Sequence, residues 1–222
     1  MTYVMANLHG ALDRYRAMIE KIGFCEDDVL YVLGDIVDYG EDSMKLLVEL
    51  SMCGNVFPVA GEHDLLALRM LSGFDKMLKE GSMPDADFAA EMTAWAADGG
   101  KVTLEGFREL DADLREGVLD YLSEFALYEE VELDGAQYVL VHAGVAGFDG
   151  RTPLEEYEPE AFFVPVSGEN RYFEGQTLIV GHVPTAQGRI ERRDNVILMD
   201  CGVKQGGALG CLCLETGEEY YA

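Results

Sequence analysis

The chain contains four histidines, and each follows an apolar run in a short, mostly glycine-bounded turn. The turns are Asn7-Leu8-His9-Gly10, Gly61-Glu62-His63-Asp64, Val141-His142-Ala143-Gly144 and Gly181-His182-Val183-Pro184. A fifth turn of the same build, Gly34-Asp35-Ile36-Val37-Asp38-Tyr39-Gly40, carries two aspartates. Imidazole nitrogens and carboxylate oxygens are donors that divalent metals take up. In open α/β sheets, ligands bind in the crevice outside the carboxyl ends of the strands. Five polar turns at strand ends, distant along the chain, therefore predict one shared cleft with metal-binding chemistry.

Those turns need elements to hold them. Residues 2–6 are apolar and strand-like, and Leu12, Tyr15, Ile19 and Ile22 recur at helical spacing up to a capping Gly23. Residues 29–33 form a continuous apolar run, as in a strand covered on both faces. Met44, Leu47, Val48 and Met52 mark a second helix, and residues 55–60 a third strand that stops at the Gly61–Asp64 turn. Strand–helix–strand–helix–strand at this spacing predicts parallel pairing with right-handed crossovers. Residues 65–125 read as a helical insertion, broken at Gly99-Gly100 and with Trp95 in its packed interior. The last third turns to strands at 130–133, 137–141, 177–180, 195–199 and 208–214, with Asp134-Gly135 as a hairpin turn. The expected architecture is α/β: one domain over residues 1–222, a sandwich of two mixed β-sheets flanked by helices, with the insertion inside it.

In order and spacing, the five turns resemble the calcineurin-like metallophosphoesterases, particularly their serine/threonine protein phosphatase branch in bacteria and phage. The family pattern runs D-x-H-G, G-D-x-x-D-R-G, G-N-H-[DE], H-A-G and G-H-x-P-T. This chain supplies N-L-H-G, G-D-I-V-D-Y-G, G-E-H-D, H-A-G and G-H-V-P-T. Similarity extends to Gly99-Gly100, Thr103-Leu104 and Phe107, and to residues 197–214 with Asp200 and Gly206-Gly207. The resemblance implies the metallophosphoesterase sandwich and a centre of two divalent ions, Mn²⁺ first, with Fe, Zn, Co or Mg as alternatives. Asp35 would bridge both ions. Asn7 and His9 would complete one ligand set; Glu62, His142 and His182 would complete the other. His63 would donate a proton to the leaving oxygen, oriented by Asp38. The implied reaction is hydrolysis of a phosphomonoester, on a phosphorylated protein or a small phosphoester. Symmetric hydrolysis of a dinucleoside tetraphosphate is the alternative within the enzyme class. A non-catalytic metal- or phosphate-binding module is the alternative outside it.

Three positions depart from the pattern. The family's first aspartate is Asn7, its asparagine is Glu62, and its arginine after the second aspartate is Tyr39. One carboxylate leaves the first ion's ligands and one joins the second's, so the formal ligand charge is unchanged. An asparagine still offers a carbonyl oxygen to a hard cation. The pair reads either as an exchange that keeps the site, with altered relative affinity for the two ions, or as loss of ligands in a chain released from turnover. A phenol cannot reproduce the bidentate grip of an arginine on phosphate. Arg151 and Arg171, downstream of His142, are the first candidates for a replacing cation, although a solvated surface arginine is the commoner role for each.

Composition narrows the partners. With 16 basic against 42 acidic residues the net charge is −26, which opposes binding a nucleic-acid backbone or an anionic membrane surface. No apolar stretch is long enough to span a bilayer. The five cysteines form no C-x-x-C pair and read as buried free thiols of a reducing compartment, with Cys211 and Cys213 on one face of a strand. The chain opens directly into a strand-like run, so a cytoplasmic protein is expected. Glu155, Glu156 and Glu158 read as a solvated face.

Overall fold

Alternation within each strand decides the layering. In the computed structural model, which describes residues 1–166 and 175–222, ten strands and six α-helices follow in the order β1 (Thr2–Ala6), α1 (Leu12–Ile22), β2 (Val29–Leu33), α2 (Ser43–Ser51), β3 (Val56–Val59), α3 (Glu62–Glu80), α4 (Ala86–Trp95), α5 (Lys101–Glu109), α6 (Ala112–Ser123), β4 (Tyr128–Leu133), β5 (Ala136–Val141), β6 (Thr177–Val180), β7 (Glu191–Arg193), β8 (Val196–Leu198), β9 (Gly210–Cys213) and β10 (Glu219–Tyr221). One sheet has the order β10-β9-β1-β2-β3 and the other β4-β5-β6-β8-β7. In the first, β1, β2 and β3 run parallel, β9 pairs antiparallel with β1, and β10 pairs antiparallel with β9. In the second, β5, β6 and β8 run parallel, with β4 and β7 antiparallel on the edges.

Val4, Leu33 and Leu212 of the first sheet pack with Leu140, Ile179 and Ile197 of the second, forming the layer between them. Their neighbours in sequence point the other way, as a period of two requires. Tyr3, Met5, Leu30, Val32, Cys211 and Cys213 meet the helices. Val139, Val141, Leu178 and Val180 meet Leu154 and Phe162 from two short 3₁₀ turns. The expected two-sheet sandwich is therefore present, with α-helices over one outer face and 3₁₀ turns over the other. Glu155, Glu156 and Glu158 are exposed, as expected. Asp134 and Gly135, at φ 50° and 81°, make the hairpin turn between β4 and β5. Pro58 lies in β3, an edge strand, where its missing N–H costs least.

Three expectations change. The Gly61–Asp64 segment is no turn: it is the start of α3, because extended Gly61 caps the helix and the Asp64 carboxylate accepts the Gly61 N–H at 2.9 Å. Glu62 and His63 thus stand on a helical first turn. The strands β7 and β10 lie on sheet edges, and their half-exposed Glu191–Arg193 and Glu219–Tyr221 carry no apolar run to announce them. Cys201, Cys211 and Cys213 are buried free thiols, but Cys53 is half-buried and Cys25 exposed, in the loop after α1. Among the described residues no helix is long and apolar enough to cross a membrane.

Candidate functional site

The four turns and the start of α3 converge at one end of the two sheets. β1 delivers Asn7 and His9, β2 delivers Asp35 and Asp38, the first turn of α3 delivers Glu62 and His63, β5 delivers His142 and β6 delivers His182. Among the described residues eight non-glycine positions have positive φ, and six of them are Asn7, His9, Asp35, Asp38, Tyr39 and His182. Left-handed backbone is costly for such residues, and its concentration here is the mark of a functional site. Gly34 allows the two sheets to meet: a Cβ there would stand 2.5 Å from His142 Nδ1.

Asp35, Glu62, His142 and His182 each place one ligand-type atom within 4.8 Å of all the others. His142 Nδ1 faces the Leu33 carbonyl at 3.0 Å. That bond fixes the ring, so Nε2 lies 3.5 Å from Asp35 Oδ1 and 3.5 Å from Glu62 Oε2. His182 Nδ1 is 2.6 Å from Glu62 Oε2 and 3.2 Å from His142 Nε2. Burial disfavours a charged His142, but Asp35 and then Glu62 outweigh it and lift the ring to about 9. Burial likewise opposes ionised Glu62, and the two imidazoles hold it down at about 2. Two carboxylates thus impose a field that favours positive charge at one point. Donors bonded to a metal at about 2.0–2.2 Å stand about 3.4 Å apart in a tetrahedron, close to most of these separations.

Asn7 and His9 do not complete a second set of this kind. His9 is buried, its Nδ1 faces the Val37 carbonyl at 3.3 Å, and Nε2 is 3.8 Å from Asp35 Oδ2. Burial, against the pull of Asp35, lowers the ring to about 4 and keeps its lone pair free. Asn7 Oδ1 accepts the His182 backbone N–H at 2.8 Å, which engages one of its two lone pairs, while Nδ2 donates to Asp35 Oδ2 at 3.2 Å. Reversing the amide would put two donors face to face and an oxygen against a carboxylate, so the orientation is fixed by its partners. Asp35 turns one oxygen to each side, and among the described residues its Oδ1 side closes into a donor cage of four.

His63 and Asp38 form a pair, with Nδ1 2.8 Å from Asp38 Oδ2. Burial works against a charged His63, but Asp38 and then Asp35 raise its affinity for a proton. Asp38 is fully buried and also accepts Trp95 Nε1–H at 2.9 Å and the Thr103 hydroxyl at 2.6 Å. Trp95 is therefore more than insertion packing, as the sequence reading had it: it is a donor to the carboxylate of the pair. Tyr39 gives its hydroxyl to Asp98 at 2.6 Å and sets its ring edge against His9 and His63. Arg151 is exposed and does not line the cavity beside His9, and Arg171 lies outside the described residues. Lys204, which the motifs did not single out, sits over the Tyr39 ring instead.

A family model described as calcineurin-like phosphoesterase matches residues 2–208. A curated symmetrical bis(5'-nucleosyl)-tetraphosphatase of Acidovorax sp. (strain JS42) is 31% identical over 145 residues, covering 64% of this chain and 43% of that protein. One of the same name from Azotobacter vinelandii is 24% identical over 97% of this chain and 94% of its own length. The chain thus spans less than half of the first of these relatives. Among solved structures, a candidate diadenosine tetraphosphatase superposes over all of this chain and 92% of its own, with TM-score 0.69 and 16% identity. A Saccharomyces cerevisiae protein serine/threonine phosphatase covers all of this chain and 79% of its own, with TM-score 0.56 and 13% identity. At these identities the structures speak for the fold.

Proposed function

The chain belongs to the calcineurin-like phosphoesterase family, and from that premise we propose that it hydrolyses phosphoanhydrides of the dinucleoside tetraphosphate type at the strand-end centre. The observation that carries the reading is the Asp35–Glu62–His142–His182 cluster, in which Asp35 and His142 are buried and Glu62 reaches solvent, lying beside the His63–Asp38 pair. Two imidazole nitrogens and two carboxylate oxygens fit one divalent ion, with Mn²⁺, Fe²⁺, Co²⁺ and Zn²⁺ all compatible with the donors. A divalent ion held there supplies Lewis acidity toward a phosphoryl oxygen and toward water. On the other side of Asp35, His9 and the neutral Asn7 oxygen, which already accepts the His182 N–H, form a poorer donor set for a second ion.

The chain's own residues divide the remaining work. Asp38 holds His63 Nδ1, so the Nε2–H of the charged ring is the proton available to the departing oxygen. Trp95 and Thr103 fix Asp38, which keeps the imidazole from rotating. Water and phosphoryl group meet between the cluster and His63. The substrate choice is supported by the naming of the curated relatives, one of which matches 97% of the chain. Phosphoserine or phosphothreonine peptides are the second reading, favoured by the order of the five turns, which is that of the protein phosphatase branch.

The test is turnover of diadenosine tetraphosphate, a phosphothreonine peptide and p-nitrophenyl phosphate, with Mn²⁺, Co²⁺, Zn²⁺ or Mg²⁺ added. The expected result is splitting of the tetraphosphate into two ADP, with kcat lowered about 10²–10⁴-fold in His63→Ala. Preference for the peptide transfers the assignment to the second reading. No turnover of any of the three with any of the metals overturns both.

A further inference from the structure

The family pattern places an arginine where this chain has Tyr39, so the phosphate-binding cation must come from elsewhere or be lost. The Tyr39 hydroxyl is committed to Asp98, but its ring carries a cation: Lys204 Nζ stands 3.8 Å from the ring centroid, within cation–π range. The same ring lies edge-on to His9 and His63, at centroid distances of 5.4 and 5.2 Å. Tyr39 therefore acts as a platform that brings an ammonium group, from the short turn Val203–Gln205, to the rim of the centre.

A cavity of about 470 Å³ opens at this rim, lined by His9, Tyr39, Lys204 and Arg14 among others. Arg14, on the first turn of α1, donates Nη2–H to the Gly206 carbonyl at 3.2 Å, so both cations flank one loop. Among the described residues neither makes a salt bridge, although acidic residues outnumber basic ones 42 to 16. Acidic side chains do line the cavity: Asp13 bonds the Arg14 backbone N–H, Asp42 pairs with Lys45, and Glu41 is exposed. Positive charge facing an open cavity beside the cluster is what an anionic substrate requires on a body of net charge −26, because screening over a Debye length of about 8 Å mutes the distant acids but not a neighbouring lysine.

We propose that Lys204, mounted on the Tyr39 ring, is the cation that grips phosphate in this site, and that Arg14 extends the grip to a second phosphoryl group along the cavity. The ligand class is a nucleoside diphosphate or longer phosphate chain. The proposal rests on the hydrolase reading above and adds to it the residues that select for more than one phosphoryl group.

Calorimetric titration with ADP and with AMP tests this without requiring turnover. The purified protein is compared with Lys204→Met, which keeps the apolar stem on the ring, with Lys204→Arg and with Arg14→Met. Unchanged melting temperatures show that these exposed and half-buried substitutions leave the fold intact. ADP is expected to bind about tenfold or more tightly than AMP, as one further charge-assisted contact implies. Lys204→Met should weaken both nucleotides about tenfold or more, Lys204→Arg should restore them, and Arg14→Met should erase only the preference for ADP. Equal binding by all four proteins, or no binding of ADP by the unmodified chain, overturns the proposal. Loss of ADP binding in Lys204→Met alongside an unmodified chain that hydrolyses nothing supports the anion grip and rejects the hydrolase reading, so the two fail separately.

Discussion

The carboxamide of Asn7 is fixed by what it touches. Its oxygen accepts the His182 N–H and its nitrogen donates to Asp35, so it is a neutral donor with one lone pair already engaged. The ion held by Asp35, Glu62, His142 and His182 is therefore expected to bind well ahead of any second one. Asn7→Asp replaces the donating nitrogen with a carboxylate oxygen while the other oxygen still accepts from His182. Ligand charge tunes the affinity of such sites strongly, and occupancy measured by metal analysis and calorimetry should rise from one to two Mn²⁺ per chain. Two equal, tight sites in the unmodified protein would refute the asymmetry. The eight residues brought together here were legible because each stands in a short polar segment directly after a strand, with a spacing of its own. The amide orientation was not, since it depends on a backbone N–H 175 residues away. Trp95 and Thr103 were hidden for a related reason: within a helical apolar pattern, a side chain that packs and one that donates to a buried carboxylate look alike. Lys204 lies in the similar stretch 197–214 but in none of the five motifs, and its place over the Tyr39 ring reveals it.

The helical insertion acts as the rear support of the His63–Asp38 pair, through Trp95 at the end of α4 and Thr103 in α5. Its own integrity depends on a buried ionic clamp. Asp75 of α3 accepts from Arg115 Nε of α6 at 2.9 Å and from Lys79 Nζ at 2.8 Å, with only 4% of its side chain exposed. Burial alone would raise the Asp75 carboxyl, but Lys79 and then Arg115 outweigh it and hold it below its ordinary value of 3.8. A carboxyl depressed on folding stabilises the native state fully above that ordinary value and loses its contribution as pH falls through the lower, folded one. Asp75→Asn should thus cost about 2 kcal/mol at pH 7, the scale of charged hydrogen bonds. In urea unfolding the gap to the unmodified chain should narrow as pH drops from about 5 to about 3. A gap that does not change with pH would assign the cost to packing instead. At this scale the parallel β1–β2–β3 unit and the helical run were readable, because burial on both faces and a 3.6-residue period leave long signatures. The edge strands β7 and β10 were not, since pairing on one side with half-exposed side chains leaves none, and the start of α3 was masked by a capping glycine that also reads as a turn.

Two sheets and a helix each contribute to the cluster: Asp35 from the first sheet, Glu62 from α3, and His142 and His182 from the second sheet. An ion bound there ties together layers that otherwise meet through apolar packing and a few hydrogen bonds, and it neutralises carboxylates in a chain of net charge −26. Because the four donors are assembled only in the folded chain, binding adds directly to stability: about 2.7 kcal/mol when free metal is one hundred times its dissociation constant. For a chain of this size a kilocalorie moves the melting temperature by about 2–4 °C, so saturating Mn²⁺ is expected to raise it by roughly 5–10 °C. His142→Ala removes a donor from the middle of the cluster and should abolish that rise, whatever its own starting stability. Monovalent salt separates the local effect from the global one. Screening of general acidic repulsion should lift both proteins by similar amounts in NaCl, whereas only the intact cluster should respond to Mn²⁺ beyond the matched ionic strength. An equal Mn²⁺ response in His142→Ala would mean that the ion acts on the acidic surface at large, and the cluster would lose its claim to be the metal centre.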